Sequence, residues 1–118
     1  PTRGRDMAAG VREMIARFWH GAVPQSMADE YLVYLNQTGI PDYQSTSGNR
    51  GVYVLRRDEN GVAHFLLISL WDSVESIRTF AGDDVDQARY YPQDRDYLIE
   101  LEPNVTHYDV LVATAPTE

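Results

Sequence analysis

Apolar residues change their period several times along this chain, and each change marks a predicted element. Met14-Ile15-Ala16-Arg17-Phe18-Trp19-His20 is dense in β-formers and reads as a first strand, ended by Pro24. Met27, Ala28, Tyr31, Leu32 and Leu35 then recur at helical spacing and make one apolar face. Ser26 with Asp29 three residues on is a capping box for that helix. Gly39-Ile40-Pro41 reads as its stop, with a left-handed residue, an apolar contact and a proline that blocks continuation. A polar loop over 42–49 leads to a second strand at 51–56, and Asp58-Glu59-Asn60-Gly61 carries the Asn-Gly hairpin signal. The third strand runs from Val62 to about Trp71, and its Phe65-Leu66-Leu67-Ile68 centre is apolar on both faces.

Asp72 then caps a second helix, with Glu75 at the matching position. Val74, Ile77, Phe80 and Ala81 are expected to face inward, and Gly82 closes the helix. Residues 83–89 suggest a short further helix, interrupted at Tyr90-Tyr91-Pro92 because proline disfavours helix in the residue before it. Alternation over 107–114 predicts the last strand. The order β-α-β-β-α-β is that of a ferredoxin-like α+β sandwich, a four-stranded antiparallel sheet with two helices on one face. Two helices cover only one face, so an apolar second face calls for another partner, and a second copy of the sheet suits it: a homodimer is expected. The chain divides into an N-terminal arm at 1–11 and one domain at 12–118.

Composition narrows the classes. The chain has 118 residues, enough for one domain with a real core, and no cysteine, which removes disulfide scaffolds, thiol nucleophiles and cysteine-based metal sites. A formal charge of −8 disfavours nucleic acid and anionic membrane surfaces as partners. No apolar run is long enough to span a bilayer, and no apolar segment follows the basic residues near the start, so a cytoplasmic protein is expected.

Few residues suggest chemistry. Trp71 ends a central strand beside a helix start and reads as a core side chain or as a wall that stacks a flat ligand. Arg17 alternates with Ile15 and Trp19 on a central strand, so it is either paired within the protein or directed at an anionic ligand group. His107 opens the last strand; as a functional residue it would be a general base, because an imidazole pKa of about 6.5 leaves it largely neutral at pH 7. Tyr90 and Tyr91 are adjacent, so at most one of them faces a pocket. His20 and His64 show no ligand spacing with each other or with His107, and no metal is expected. Asp83, Asp84 and Asp86 read as a solvated helix start.

Three segments, Met14 to Trp19, Asn49 to Arg57 and Ser69-Leu-Trp-Asp-Ser-Val-Glu-Ser-Ile-Arg-Thr-Phe-Ala-Gly82, together with Tyr90-Tyr-Pro and His107-Tyr-Asp-Val-Leu, resemble the antibiotic biosynthesis monooxygenase family. The resemblance implies a dimeric α+β barrel with a pocket between helices and sheet. It also implies a cofactor-independent monooxygenase acting on a small aromatic substrate of polyketide or quinone type. On that reading His107, Trp71 and Arg17 form the catalytic set, and Trp19, Tyr90 and Tyr91 bind substrate. No cofactor is expected. Heme is the alternative, since some relatives bind and degrade it, but Tyr90 and Tyr91 stand where that branch has its iron-ligating histidine. The pocket asparagine common in both branches is also absent from the first and third strands. A non-catalytic ligand-binding or stress-associated dimer and an isomerase or cyclase on the same scaffold are the competing readings, because fold fixes function poorly.

Overall fold

The computed structural model describes residues 14–114. The expected N-terminal arm at 1–11 lies outside the described residues. Four strands form one antiparallel sheet in the order β2-β3-β1-β4: β1 is Ile15–Pro24, β2 Asn49–Glu59, β3 Val62–Trp71 and β4 Thr106–Asp109. The helices are α1 (Ala28–Gln37), α2 (Gly39–Ser45), α3 (Val74–Ala81) and the single turn α4 (Asp94–Tyr97). This is the ferredoxin-like arrangement that the order of elements predicts. No helix among the described residues is long and apolar enough to cross a membrane.

Strand alternation decides which side chains meet the helices. On β1 the inward set is Ile15, Arg17, Trp19, Gly21 and Val23; on β3 it is Ala63, Phe65, Leu67, Ser69 and Trp71, all buried. Tyr31, Tyr34 and Leu35 of α1, Tyr43 of α2, and Ile77 and Phe80 of α3 close the core over that face. The opposite face of β3 carries Val62, His64, Leu66, Ile68 and Leu70, all half-buried in the single chain, so the strand is apolar on both sides as its sequence indicates. At the β2–β3 hairpin, Asn60 and Gly61 both take positive φ (54° and 80°), the type I′ geometry that suits the strand twist.

Several local expectations are corrected. Gly39-Ile40-Pro41 does not end a helix region. Thr38 breaks α1, donating its hydroxyl to Tyr34 O at 2.8 Å, and the chain re-enters a helix at once. Gly39 has no positive φ, and Pro41 sits in the first turn of α2, where its missing N–H has no intrahelical partner to lose. Ser26 lies in a 3-10 turn (Gln25–Met27), and Met27 holds the cap position of α1 without a side-chain bond. The cap of α3 is Ser73 rather than Asp72: Ser73 Oγ accepts from Ser76 N at 3.1 Å. Asp72 instead accepts from Ser76 Oγ at 2.7 Å, a bond that holds its carboxyl below the usual range. Val74 is exposed, not inward. Residues 83–89 are irregular rather than helical. Finally, β4 stops at Asp109 because that residue pairs with Ile15, the first of β1; 110–114 lie past the end of their partner strand.

Gly48 joins the sheet to the start of α3. Its φ is +94°, its carbonyl accepts from Asp72 N at 3.0 Å, and a Cβ there would lie 2.0 Å from Ser76 Oγ. Gly48→Ala is therefore expected to lose about 2 kcal/mol or more, from backbone strain and displacement of Ser76, read as a lower urea midpoint at unchanged slope.

Candidate functional site

The β1–β4 ladder places Arg17 directly opposite His107. Both lie on the helix-facing side, beside the irregular 83–89 stretch that a Gln87–Asn104 bridge holds to the segment before β4. His107 Nδ1 and Asp86 Oδ1 are 3.0 Å apart. A carboxylate can only accept, so Nδ1 carries the proton and the neutral ring leaves Nε2 as its basic nitrogen. Nε2 is buried and meets no hydrogen-bond partner among the described residues. Burial lowers the His107 pKa, and the Arg17 charge lowers it further; Asp86 works the other way. The ring is thus held neutral and oriented at neutral pH. It lines a pocket of about 260 Å³ with Ile15, Val74, Ile77, Val85, Asp86 and the β4 residues Tyr108 and Asp109. That size is near the lower end for small-molecule sites.

Arg17 is 1% exposed. Its Nη2 donates to Gln87 O at 3.1 Å, and its guanidinium lies 5.5 Å from the Phe80 ring centre. Desolvation lowers its pKa, and Tyr43 and Asp86 oppose that shift; by hydrogen-bond geometry Nε and Nη1 have no partner among the described residues. Elsewhere in the core, Trp19, Tyr31, Tyr43, Phe80, Arg89 and Tyr91 are among the residues around an inner cavity of only about 20 Å³, which Arg17 does not line. That holds a water molecule and no more.

The other expected site residues fall at different distances from this seam. Trp71 is fully buried, its Nε1 donates to Ser69 Oγ at 2.9 Å, and its ring packs on Tyr43 and Phe80; it lines neither cavity. Tyr91 lines the inner cavity and donates its hydroxyl to Asp42 Oδ2 at 2.7 Å. Tyr90 packs edge-on against Trp19 and gives its hydroxyl to the Glu102 carbonyl, while burial pushes its pKa up to about 12. The two adjacent tyrosines do diverge, as their spacing requires.

Three features escape sequence reasoning. Asp86, read as a solvated helix start, is the partner of His107. Arg89, not singled out, lies over both the Phe80 and Tyr91 rings and bonds Asp42 Oδ2 at 3.2 Å. His20 and His64, which show no ligand spacing in the sequence, are cross-strand diagonal neighbours: His20 Nε2 lies 3.0 Å from His64 Nδ1, and His20 Nδ1 lies 2.6 Å from Glu102 Oε2. Strand pairing would have revealed this pair, since Ala22, two residues past His20, is opposite His64. Among the described residues no group of three or more acidic or histidine side chains is arranged to hold a metal.

Solved structures share this fold. A Bacillus cereus protein provisionally named an antibiotic biosynthesis monooxygenase matches with a TM-score of 0.61 at 17% identity, over 90% of this chain and 99% of its own. A Caulobacter crescentus protein with the same provisional name matches with a TM-score of 0.61 at 16% identity, over 83% and 90%. A Nitrosomonas europaea protein of unknown function matches with a TM-score of 0.60 at 14% identity, over 89% and 96%. No family model matches the sequence. No curated protein matches it either. The chain therefore has the fold of antibiotic biosynthesis monooxygenase-type proteins. The reaction has to be argued from its own residues.

Proposed function

We propose that this protein is a cofactor-independent monooxygenase that uses His107 to deprotonate a small aromatic substrate. The observation that carries the reading is the Asp86–His107 pair, an imidazole oriented by a carboxylate on a residue that lines a pocket, with Nε2 left without a partner among the described residues. Removing a proton from an activated ring carbon or phenol gives an electron-rich anion that dioxygen can oxidise directly. For an anthrone the balance is one CH₂ and one O₂ giving one ring C=O and one water, with the proton taken by Nε2 returned to the departing hydroxide. Arg17, the cross-strand partner of His107, adds a buried positive charge beside the base.

The test is oxygen uptake with anthrone as the probe. Uptake is expected at one O₂ per quinone formed, and to cease under nitrogen. Turnover that continues without oxygen would point to an isomerase or cyclase using the same base, and ligand binding with neither would point to a carrier.

We also propose that the working unit is a homodimer joined through the outer sheet face. Tyr53 (61% exposed), Leu55 (45%) and Tyr108 (59%) stand there beside Phe18, Leu66 and Ile68, grouping apolar side chains on one face as interaction surfaces do. Light scattering is expected to give twice the 13.4 kDa chain mass. Tyr53→Lys with Leu55→Lys is expected to give the single-chain mass.

A further inference from the structure

His20 and His64 stand on the outer face of the sheet, opposite to the face that holds His107. His20 Nδ1 is 2.6 Å from Glu102 Oε2, and His20 Nε2 is 3.0 Å from His64 Nδ1. A carboxylate can only accept, so His20 Nδ1 carries a proton, and the contact between the rings holds one proton between two nitrogens. Of the four ring nitrogens, three at most are protonated while that bond lasts. Two imidazolium rings would set N–H against N–H, so acid has to part them.

The charged groups around the pair are already matched. Glu102, from the segment before β4, balances one imidazolium. Arg57 is directly opposite His64 on β2 and is paired with Glu59, and Arg56 is paired with Asp58 and with Asp29 of α1. These two arginines line a groove of about 310 Å³ with His20, His64, Leu55 and Leu66. Leu55 and Leu66 belong to the apolar face assigned above to the dimer, and Leu66 is the cross-strand partner of His20. The histidine pair therefore borders that face directly. We infer that the Glu102–His20–His64 chain is a proton switch of dimerisation: with one proton shared between the rings it fits the joined face, and a second imidazolium drives the copies apart. This rests on the homodimer proposed above. A separated chain can open the pair into water and bind one proton more, so the dimer is complete at neutral pH and is lost as the pH falls. A two-fold interface holds the switch twice, which doubles its effect. Bulk charge acts in the opposite direction. A chain of formal charge −8 repels its copy at neutral pH, and acid relieves that repulsion toward the pI of about 4.7. Weakening on acidification thus separates the pair from the general electrostatic effect.

The experiment is sedimentation equilibrium of the full chain from about pH 8 to about pH 5.5 at constant ionic strength, with circular dichroism recorded at each pH. The dimer Kd is expected to rise by about tenfold or more toward acid, with the circular dichroism unchanged. His64→Asn keeps an N–H for His20 Nε2 and cannot become a cation, and His64→Leu extends the apolar face. Both are expected to dimerise with a Kd that stays level or falls toward acid. A parent Kd that stays level or falls, acid weakening that survives in either variant, or loss of the fold in step with dissociation would each overturn the inference and leave the dimer standing. If neither variant dimerised at any pH, the pair would be a fixed part of the interface and not a switch. A single-chain mass for the parent at every pH would overturn the dimer, and this inference with it.

Discussion

His107→Ala is expected to lower anthrone-dependent oxygen uptake by about a hundredfold to ten-thousandfold, the range a positioned general base contributes, while leaving the urea midpoint close to that of the parent chain. Half-burial of the ring and its single bond to Asp86 make its structural share small. The pH profile carries the sharper signature. Burial and Arg17 hold the His107 pKa below that of a free imidazole, so the basic form persists, and the acid limb of the rate should fall below the ordinary histidine midpoint. Asp86 raises that pKa and Arg17 lowers it. Asp86→Ala should therefore move the limb to lower pH and reduce the rate through a weaker, less oriented base. Arg17→Met should move it to higher pH. Shifts of opposite sign from two neighbours belong to a titrating base between them; a role for His107 in packing alone would leave the limb where it is.

Why the sequence discloses some of this and not the rest can be traced to particular residues. Val62 to Trp71 was readable as a strand because its period, its hairpin turn at Asn60-Gly61 and the acidic residue after Trp71 are all local, and the strand observed has those bounds. Gly82, with φ of 102°, closes α3 for a reason equally local. Gly39-Ile40-Pro41 misled because the same three residues can stop one helix or open the next. The choice falls to packing: Tyr43, four residues on from Gly39, is buried against Phe80 with ring centres 4.5 Å apart, which rewards another helical turn. The candidate site depends on still longer connections. Arg17 and His107 each carried a recognisable chemical type, but their meeting is a matter of β1–β4 register. Asp86 and His107 are separated by 21 residues with no periodicity between them, and His20 and His64 by 44. Charge runs such as Asp83 to Asp86 look solvated until the chain that follows folds back over one member.

The largest loss of stability is expected at Asp94, a residue that carries no sequence signal. The residue is only 3% exposed. Oδ1 accepts from the Tyr31 hydroxyl at 2.9 Å and Oδ2 from Tyr91 N at 2.6 Å, so one side chain ties α1 to the Tyr90-Tyr91 corner. Tyr31 itself is fully buried, and burial followed by the Asp94 charge raises its pKa, so the hydroxyl remains a donor at any ordinary pH. Asp94→Ala would leave both donors without their acceptor, the Tyr31 hydroxyl in the core and the Tyr91 N–H at its half-buried edge. At about 1–3 kcal/mol for each abandoned partner, the expected loss is about 3–5 kcal/mol, a large share of a small domain's stability. Asp94→Asn should lose roughly half as much, since its amide keeps one acceptor oxygen. The pH dependence has a definite sign. Burial holds the folded-state pKa of Asp94 above its unfolded value, so the folded chain binds the proton more tightly. That contribution is complete below the ordinary aspartate range and is lost as pH rises through the raised value. Urea midpoints measured from acid toward neutral pH should therefore show the gap between parent and Asp94→Ala narrowing with pH, yet staying open at pH 7, where the two hydrogen bonds persist. A gap that widened with pH would mean that the carboxylate is stabilised rather than strained by its burial.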